Sequence, residues 1–179
     1  MKQLLAFCRV VDWISDKLAW LAAYAVLAAS LISAGNALIR YGWDISSNAW
    51  LEIQWYLFAA TVMLGAPYVL RLNEHVRVDI FYSRLRGKAP VWLDLAGLVF
   101  FLVPVMSILL ALSWPIFVRT FLSGEVSSNA GGLVRWPAML LLPLGFGLVL
   151  LQATAEIIKR VAYLRGATTL DAHYEKPLQ

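Results

Sequence analysis

Two histidines and one cysteine are the side chains of this sequence best suited to bind a metal or a haem. His75 lies in a polar stretch and His173 lies near the C-terminus, so no apolar segment contains a histidine pair. No cysteine or carboxylate cluster around His75 has the spacing of metal ligands. The sequence also has no glycine-rich phosphate loop and no nucleophile elbow. We therefore predict no metal ligand, no cofactor and no catalytic residue, and enzyme activity is not expected.

Glu52 is a carboxylate at the edge of an apolar segment. Charge is costly to bury in a membrane, so a carboxylate in such a segment is a candidate functional residue by default. However, Glu52 lies only a turn inside the segment, where the positive end of a helix dipole favours a negative charge. Structural pairing of Glu52 is the interpretation that we favour, and a role in transport is the alternative.

A polar stretch, Arg71-Leu-Asn-Glu-His-Val-Arg-Val-Asp79, follows the same apolar segment. Its mixed charges predict a hydrogen-bonded corner that fixes the turn between two helices, formed by Asn73, Glu74, His75, Arg77 and Asp79. Asp79 and Gly87 have the residue types of a helix N-cap and a helix stop, which predicts a short interfacial helix between them. The basic residues expected to lie among lipid headgroups are Arg71, Arg77, Arg84, Arg86 and Lys88.

The composition indicates which elements position these residues. Of the 179 residues, 61% are apolar and 15% are charged, and the mean hydropathy is +0.70. Soluble domains carry about 25% charged residues, so this composition excludes an ordinary cytosolic enzyme. Four uncharged runs are each long enough to cross a hydrocarbon core roughly 30 Å thick as a helix. These runs are residues 18–39, 53–70, 95–118 and 136–155.

We therefore predict an all-α integral membrane protein in which residues 1–179 form a single membrane domain with four transmembrane helices. Before the first span, residues 3–16 carry apolar side chains at helical spacing, which predicts an amphipathic helix at the membrane interface. The predicted spans are about 18–39, 50–70, 91–118 and 135–158, followed by a tail of residues 159–179.

The 15 lysines and arginines are divided unequally between alternate connections. Only Arg40, Arg119 and Arg135 flank the first and third connections, and the others lie in the N-terminal segment, the second connection and the tail. The positive-inside rule then predicts that both termini and the second connection are cytoplasmic. This distribution accounts for the net charge of +4, so we expect no nucleic-acid partner.

Small residues recur at steps of four in the first span, at Ala25, Ala29, Ser33 and Ala37. Small side chains at this spacing let a second helix approach closely, which is the usual way that helices pack in lipid. General alanine richness of the span is the alternative explanation, and the pattern alone does not separate the two.

Several stretches resemble the small membrane subunit of tripartite ATP-independent periplasmic (TRAP) transporters. They are Glu52-Ile-Gln-Trp55, Gly65-Ala-Pro-Tyr68, Asn73-Glu-His-Val-Arg-Val-Asp79 and Ser128-Asn-Ala-Gly-Gly-Leu-Val-Arg-Trp-Pro137. The resemblance implies that the chain is not the translocating unit. It implies instead that a periplasmic protein captures an organic acid, that a large subunit carries it inward with sodium ions, and that the small subunit braces the scaffold.

The resemblance also implies the partners, which are a large multi-span permease subunit, a periplasmic substrate-binding protein and the phospholipids of the bacterial inner membrane. The candidate contacts with the large subunit are Ala25, Ala29, Ser33, Ala37, Glu52, Trp55, Gly65, Arg135 and Trp136. Two alternative functions are a self-contained four-helix exporter and a membrane anchor of a redox complex. The exporter needs a glutamate deep in the first span, and the anchor needs a pair of histidine ligands within its spans. This sequence has neither feature.

Overall fold

The computed structural model describes residues 2–45, 47–73, 85 and 87–169. These residues form four long helices, each long and apolar enough to cross a membrane. The helices are α1 (Lys2–Trp43), α2 (Asn48–Leu72), α3 (Ala89–Ser123) and α4 (Trp136–Leu164). The prediction of an all-α fold with four membrane-spanning helices is confirmed. The predicted interfacial helix before Gly87 lies outside the described residues.

The N-terminal residues 3–16 are helical, as the sequence predicts. This segment is continuous with the first span, so α1 has 42 residues and is about 63 Å long. No glycine or proline occurs in this chain before Gly35, so nothing in the sequence interrupts the helix at the membrane boundary. The apolar face of the segment is covered by α4: Cys8 and Val11 are buried against Ala155.

Helix α3 contains a wider π-helical turn over Leu98–Leu102, between α-helical parts Ala89–Gly97 and Val103–Ser123. The amide of Val103 reaches the carbonyl of Leu98, five residues earlier. Pro104 follows directly and has no N–H to continue the α-helical ladder, and the wider turn accommodates this proline within the span. The helix therefore continues through Pro104 rather than ending there.

The helices approach closely where their side chains are small. A methyl group added at Gly65 of α2 would lie 3.8 Å from the Cβ of Ala22 in α1. Gly145 of α4 is closer still to α2, since an added Cβ would lie 2.7 Å from the Cβ of Met63. In lipid, helices associate through such close packing rather than through the hydrophobic effect.

Helix α4 is the central helix and α3 is the peripheral one. α4 packs against the other three helices, and a third of its most apolar window is buried. In α3 only 6% of the corresponding window is buried, and Phe100, Phe101 and Leu122 are among its most exposed side chains. A mostly apolar and mostly uncovered helix of this kind is typical of a lipid-facing position.

Candidate functional site

One end of the bundle is organised around Glu52, which is almost fully buried in the second turn of α2. Its carboxylate accepts a hydrogen bond from the Leu133 amide at 2.7 Å and another from Asn129 Nδ2 at 2.8 Å. The Ser127 hydroxyl donates a third hydrogen bond to it. All three donors belong to the α3–α4 loop, residues 124–135. We call Glu52 together with this loop the loop clamp.

The loop folds back on itself as a short hairpin. Val126 and Val134 form an antiparallel bridge, and the Ser127 amide donates to the Leu133 carbonyl at 2.9 Å. The hairpin places Gly132 directly over the carboxylate of Glu52. A Cβ at position 132 would lie 2.6 Å from the Cβ of Ser127 and 3.0 Å from Glu52 Oε1. Only glycine fits at this point without displacing the loop.

Two further side chains of α2 hold the same loop. Asn48 Nδ2 donates to the Ala130 carbonyl at 3.0 Å, and the Tyr56 hydroxyl donates to the Val134 carbonyl at 3.1 Å. Residues 48, 52 and 56 are four apart, so they lie on one face of the helix. Glu52 therefore belongs to a three-residue surface that binds the loop, and its hydrogen bonds correspond to the structural pairing that we favour.

At the other end of the bundle, charged residues of all four helices meet. Asp12 of α1 accepts hydrogen bonds from Lys159 at 2.7 Å and from Gln152 at 3.0 Å, both on α4. Arg71 of α2 forms ion pairs with Asp12 and with Asp16. We call this cluster the charge network, and its members are Asp12, Ser15, Asp16, Arg71, Asp94, Gln152, Glu156, Lys159 and Arg160.

Glu156 and Arg160 are the most deeply buried charges of the network. They form an ion pair one turn apart on α4, with side chains 5% and 7% exposed. Glu156 also binds Lys159 at 2.7 Å, and Arg160 lies 3.6 Å from Asp94 of α3. The pair therefore connects α4 to the other helices, and all three buried charged residues in the described part of the chain have partners here or in the loop clamp.

Most of the charge network is not evident from the sequence, because its members come from four separate helices. Asp12 and Asp16 fall in the predicted interfacial helix, away from its apolar positions, and Lys159 and Arg160 fall in the predicted tail of residues 159–179. One sequence feature does indicate the network: Gln152, Glu156 and Arg160 are four residues apart and so lie on one face of a helix. That spacing indicates a polar stripe facing inward, because the flanking positions of α4 are apolar.

The small-residue stripe of α1 is an internal packing face over part of its length. Ala25 and Ala29 are buried within this chain, Ala29 to 1% exposure. Ser33 and Ala37 are exposed. Ala25 and Ala29 are therefore covered within this chain, where small side chains allow neighbouring helices to approach closely. Contact of Ser33 and Ala37 with a large subunit stays a prediction.

The other predicted contact residues have varied surroundings. Trp55 is exposed on α2, whereas Gly65 faces Ala22. Arg135 forms an ion pair with Glu125, and Trp136 packs edge-on against Phe121 with ring centroids 5.6 Å apart. The exposed indole of Trp55 is thus the clearest of these candidates for an intermolecular contact.

Among the predicted headgroup ligands, Arg71 and Lys88 are described. Arg71 is bound to two carboxylates of α1, so its charge is used within the chain. Lys88 Nζ lies 3.3 Å from the carbonyl of Leu164 at the end of α4. Both cations therefore lie near the end of the bundle and bind groups of the protein itself. Arg77, Arg84 and Arg86 lie outside the described residues.

The predicted polar corner is described only at its first residue. Asn73 ends α2 in the left-handed conformation, with φ 61°, and its amide bonds to the Leu70 carbonyl at 3.2 Å. Asparagine tolerates this conformation better than most residues, which explains why the helix ends here. Glu74, His75, Arg77 and Asp79 lie outside the described residues, and their corner stays a prediction.

Comparison with known protein families identifies a match over residues 29–162, which is well over half of the chain. The matching family is described as the DctQ component of tripartite ATP-independent periplasmic transporters. The matched range contains the whole loop clamp and the members of the charge network on α2, α3 and α4. No curated protein and no solved structure gives a significant match. The chain therefore belongs to the DctQ family, the small membrane subunits of TRAP transporters, as its sequence motifs predicted.

Proposed function

We propose that this chain is the small permease subunit of a sodium-coupled TRAP transporter that takes up an organic acid. In this role it braces the stationary scaffold of the large permease subunit, with which it forms a heterodimer, and a periplasmic binding protein delivers the substrate. The observation that carries the proposal is the pairing of every buried charge in the described residues within the loop clamp or the charge network.

The pairing matters because a translocating subunit needs polar groups that bind substrate or ions and then release them. Glu52 receives three hydrogen bonds from one loop, and Glu156 is bound to Lys159 and Arg160. Breaking a buried pair by removing one partner costs about 3–5 kcal/mol, so these carboxylates are poor transient ligands. They are well suited to hold helices at fixed distances.

The proposed orientation has both termini in the cytoplasm of a bacterium whose inner membrane the chain spans. The loop clamp is then periplasmic, and the charge network lies near the cytoplasmic surface. Reporter fusions check this arrangement: a fusion after Arg165 is expected to be cytoplasmic and one after Ser127 periplasmic. A cytoplasmic reporter at Ser127 would mean that the proposed topology is wrong.

The central experiment for the proposed function is reconstitution into liposomes. We expect no sodium-dependent uptake with this chain alone or with the large subunit and binding protein without it. All three components together are expected to give uptake. Uptake by the isolated chain would contradict the proposal, and so would full uptake by the large subunit and binding protein alone.

The contact with the large subunit is proposed to include the exposed part of the small-residue stripe and Trp55. Ser33→Trp is expected to reduce copurification of the large subunit, because a bulky side chain prevents close helix approach. Leu31→Trp is the matched control, since Leu31 is exposed and lies on another face of α1. Equal copurification of both variants would place the contact elsewhere.

A further inference from the structure

A basic cavity lies beside the charge network, between the N-terminal part of α1 and the end of α4. Its volume is about 470 Å³. Three of its lining residues are cations, Lys2, Arg9 and Lys159, and one is a carboxylate, Asp12. Leu5 and Cys8 form an apolar surface in the same cavity, and Thr168 and Thr169 line it from the segment after α4. The cavity thus combines positive charge, hydroxyl groups and an apolar wall.

Two cations of this cavity, Lys2 and Arg9, have no ion-pair partner among the residues that the structure describes. Asp12 is already bound to Lys159 at 2.7 Å and to Arg71. Lys2 and Arg9 form no ion pair with any described residue, and both are exposed. An anion entering the cavity would therefore meet two cations that no carboxylate of the described residues neutralises, next to an apolar wall.

The cavity lies at the depth of lipid headgroups. Lys159 is about 35 Å along α4 from Trp136, and a hydrocarbon core is roughly 30 Å thick. Trp13, one turn after Arg9, is 59% exposed, and Lys17 lies 5.9 Å from the centre of its ring. Exposed tryptophan beside lysine is typical of the membrane interface. The cavity therefore opens where phosphate groups of lipids are concentrated.

We propose that this cavity binds the phosphate headgroup of an anionic phospholipid, with Lys2 and Arg9 as its ligands and Leu5 in contact with the upper part of an acyl chain. Basic pockets at membrane helices on the cytoplasmic side commonly take such headgroups. The proposal rests on the proposed orientation, which places this end of the bundle at the anionic leaflet. The bound lipid would link α1 to the end of α4.

The test measures lipid binding to the purified full chain in detergent by native mass spectrometry. Phosphatidylglycerol, phosphatidylcholine and soluble glycerol phosphate are titrated separately. The pocket variant carries Lys2→Gln and Arg9→Gln. The matched control carries Lys17→Gln and Arg165→Gln, which remove the same charge outside the cavity. Neither variant removes an ion pair that holds the described helices, so both are expected to fold, with circular dichroism as the check.

We expect the pocket variant to bind phosphatidylglycerol about 30-fold more weakly, from the usual contribution of two cations near an anionic surface. The control is expected to change by less than about threefold, and Arg9→Lys with Lys2 intact is expected to retain most of the binding. Leu5→Trp, which fills the cavity at constant charge, is also expected to weaken binding. Because no uptake is measured, failure here is distinguishable from failure of the proposed function.

Four outcomes would overturn the proposal. Equal losses in the pocket and control variants would indicate general surface attraction. Equal binding of phosphatidylcholine would show that charge is not recognised. Saturable binding of glycerol phosphate with the affinity of the lipid would identify a site for soluble anions instead. Unchanged binding in Leu5→Trp would place the lipid outside the cavity.

Discussion

In the loop clamp a single carboxylate, Glu52, accepts hydrogen bonds from neutral donors of one loop. In the charge network, four carboxylates and three cations from four helices form ion pairs in which most members have more than one partner. In the loop clamp, the Glu52 carboxylate is the shared acceptor of all three donors, so its removal leaves each of them without that hydrogen bond. In the network, Asp12 has several partners and Arg71 has two carboxylates, so the loss of one contact leaves others in place.

The difference shows two ways in which a membrane bundle can be fixed at its ends. A buried carboxylate with neutral donors depends on geometry, so the glycine and backbone amides of the loop must be positioned accurately. The partly exposed members of the charge network depend less on accurate geometry and more on ionic strength. We expect the clamp to be intolerant of single changes and the outer members of the network to be tolerant.

The largest expected effect is that of Glu52→Ala. It leaves the Leu133 amide and the Asn129 side chain without an acceptor, which costs roughly 3–5 kcal/mol. Thermal unfolding of the purified chain is expected at a clearly lower temperature. Glu52→Gln is expected to lower the unfolding temperature by nearly as much, because the NH2 group of the glutamine would face hydrogen-bond donors of the loop. An unchanged unfolding temperature would contradict the clamp.

The second-largest loss of stability is expected when the buried carboxylate of Glu156 in the charge network is replaced by an amide. Glu156→Gln keeps the side-chain volume and removes the carboxylate closest to the buried guanidinium of Arg160. Among the described residues, Asp94 at 3.6 Å is then its remaining carboxylate, beside the Glu156 backbone carbonyl at 3.3 Å. We expect a loss of about 3 kcal/mol in the free energy of unfolding. Asp94→Asn in the Glu156→Gln background then measures the coupling of the two carboxylates, and additive losses would show that Arg160 does not connect them.

A smaller effect is expected for Gly132→Ala, which tests the geometry of the clamp without changing charge. The added methyl group would lie 2.6 Å from the Cβ of Ser127, so the loop must shift, at a cost of about 1–3 kcal/mol. Gly147→Ala is the control, because apart from the adjoining α4 backbone no described atom lies within 4 Å of its added methyl group. If the two variants unfold at the same temperature, the loop does not rest on Glu52 as described.

The smallest effect is expected for Asp16→Asn, since the Asp16 side chain is 43% exposed and Arg71 keeps its contacts with Asp12. We expect a loss below about 1 kcal/mol, and a smaller one in 1 M salt than in 0.1 M salt. The loss in Glu52→Ala is expected to be independent of salt. If the effect of Asp16→Asn does not depend on salt, the charge network does not differ from the loop clamp in its dependence on ionic strength.

The helices could be predicted from sequence because long uncharged runs have one stable arrangement in lipid. The family was also accessible, because its motifs around Glu52, Gly65 and Trp136 are contiguous in sequence. The role of Glu52 was predictable in part: its place in the first turns of α2 favoured pairing, but the pairing partners are more than 70 residues away. Nothing local to Ser127 or Leu133 indicates which carboxylate they bind.

The charge network could not be predicted because its members come from elements assigned to different environments. Asp12 was expected at an interface, and Lys159 was expected in a tail. Their contact depends on α1 continuing without a break and on α4 extending to Leu164, which are properties of helix ends that sequence patterns define poorly. The burial of Ala29 was missed for a similar reason, since a stripe of small residues does not reveal which helix covers it.

The central claim is that this chain supports the assembled transporter and does not carry substrate itself. The most direct measurement is sodium-dependent uptake per assembled complex for Glu52→Gln and Glu156→Gln, compared with the unaltered protein after reconstitution. We predict that less complex assembles in both variants, and that each assembled complex transports at close to the normal rate. Full assembly with abolished uptake in either variant would mean that its carboxylate takes part in transport.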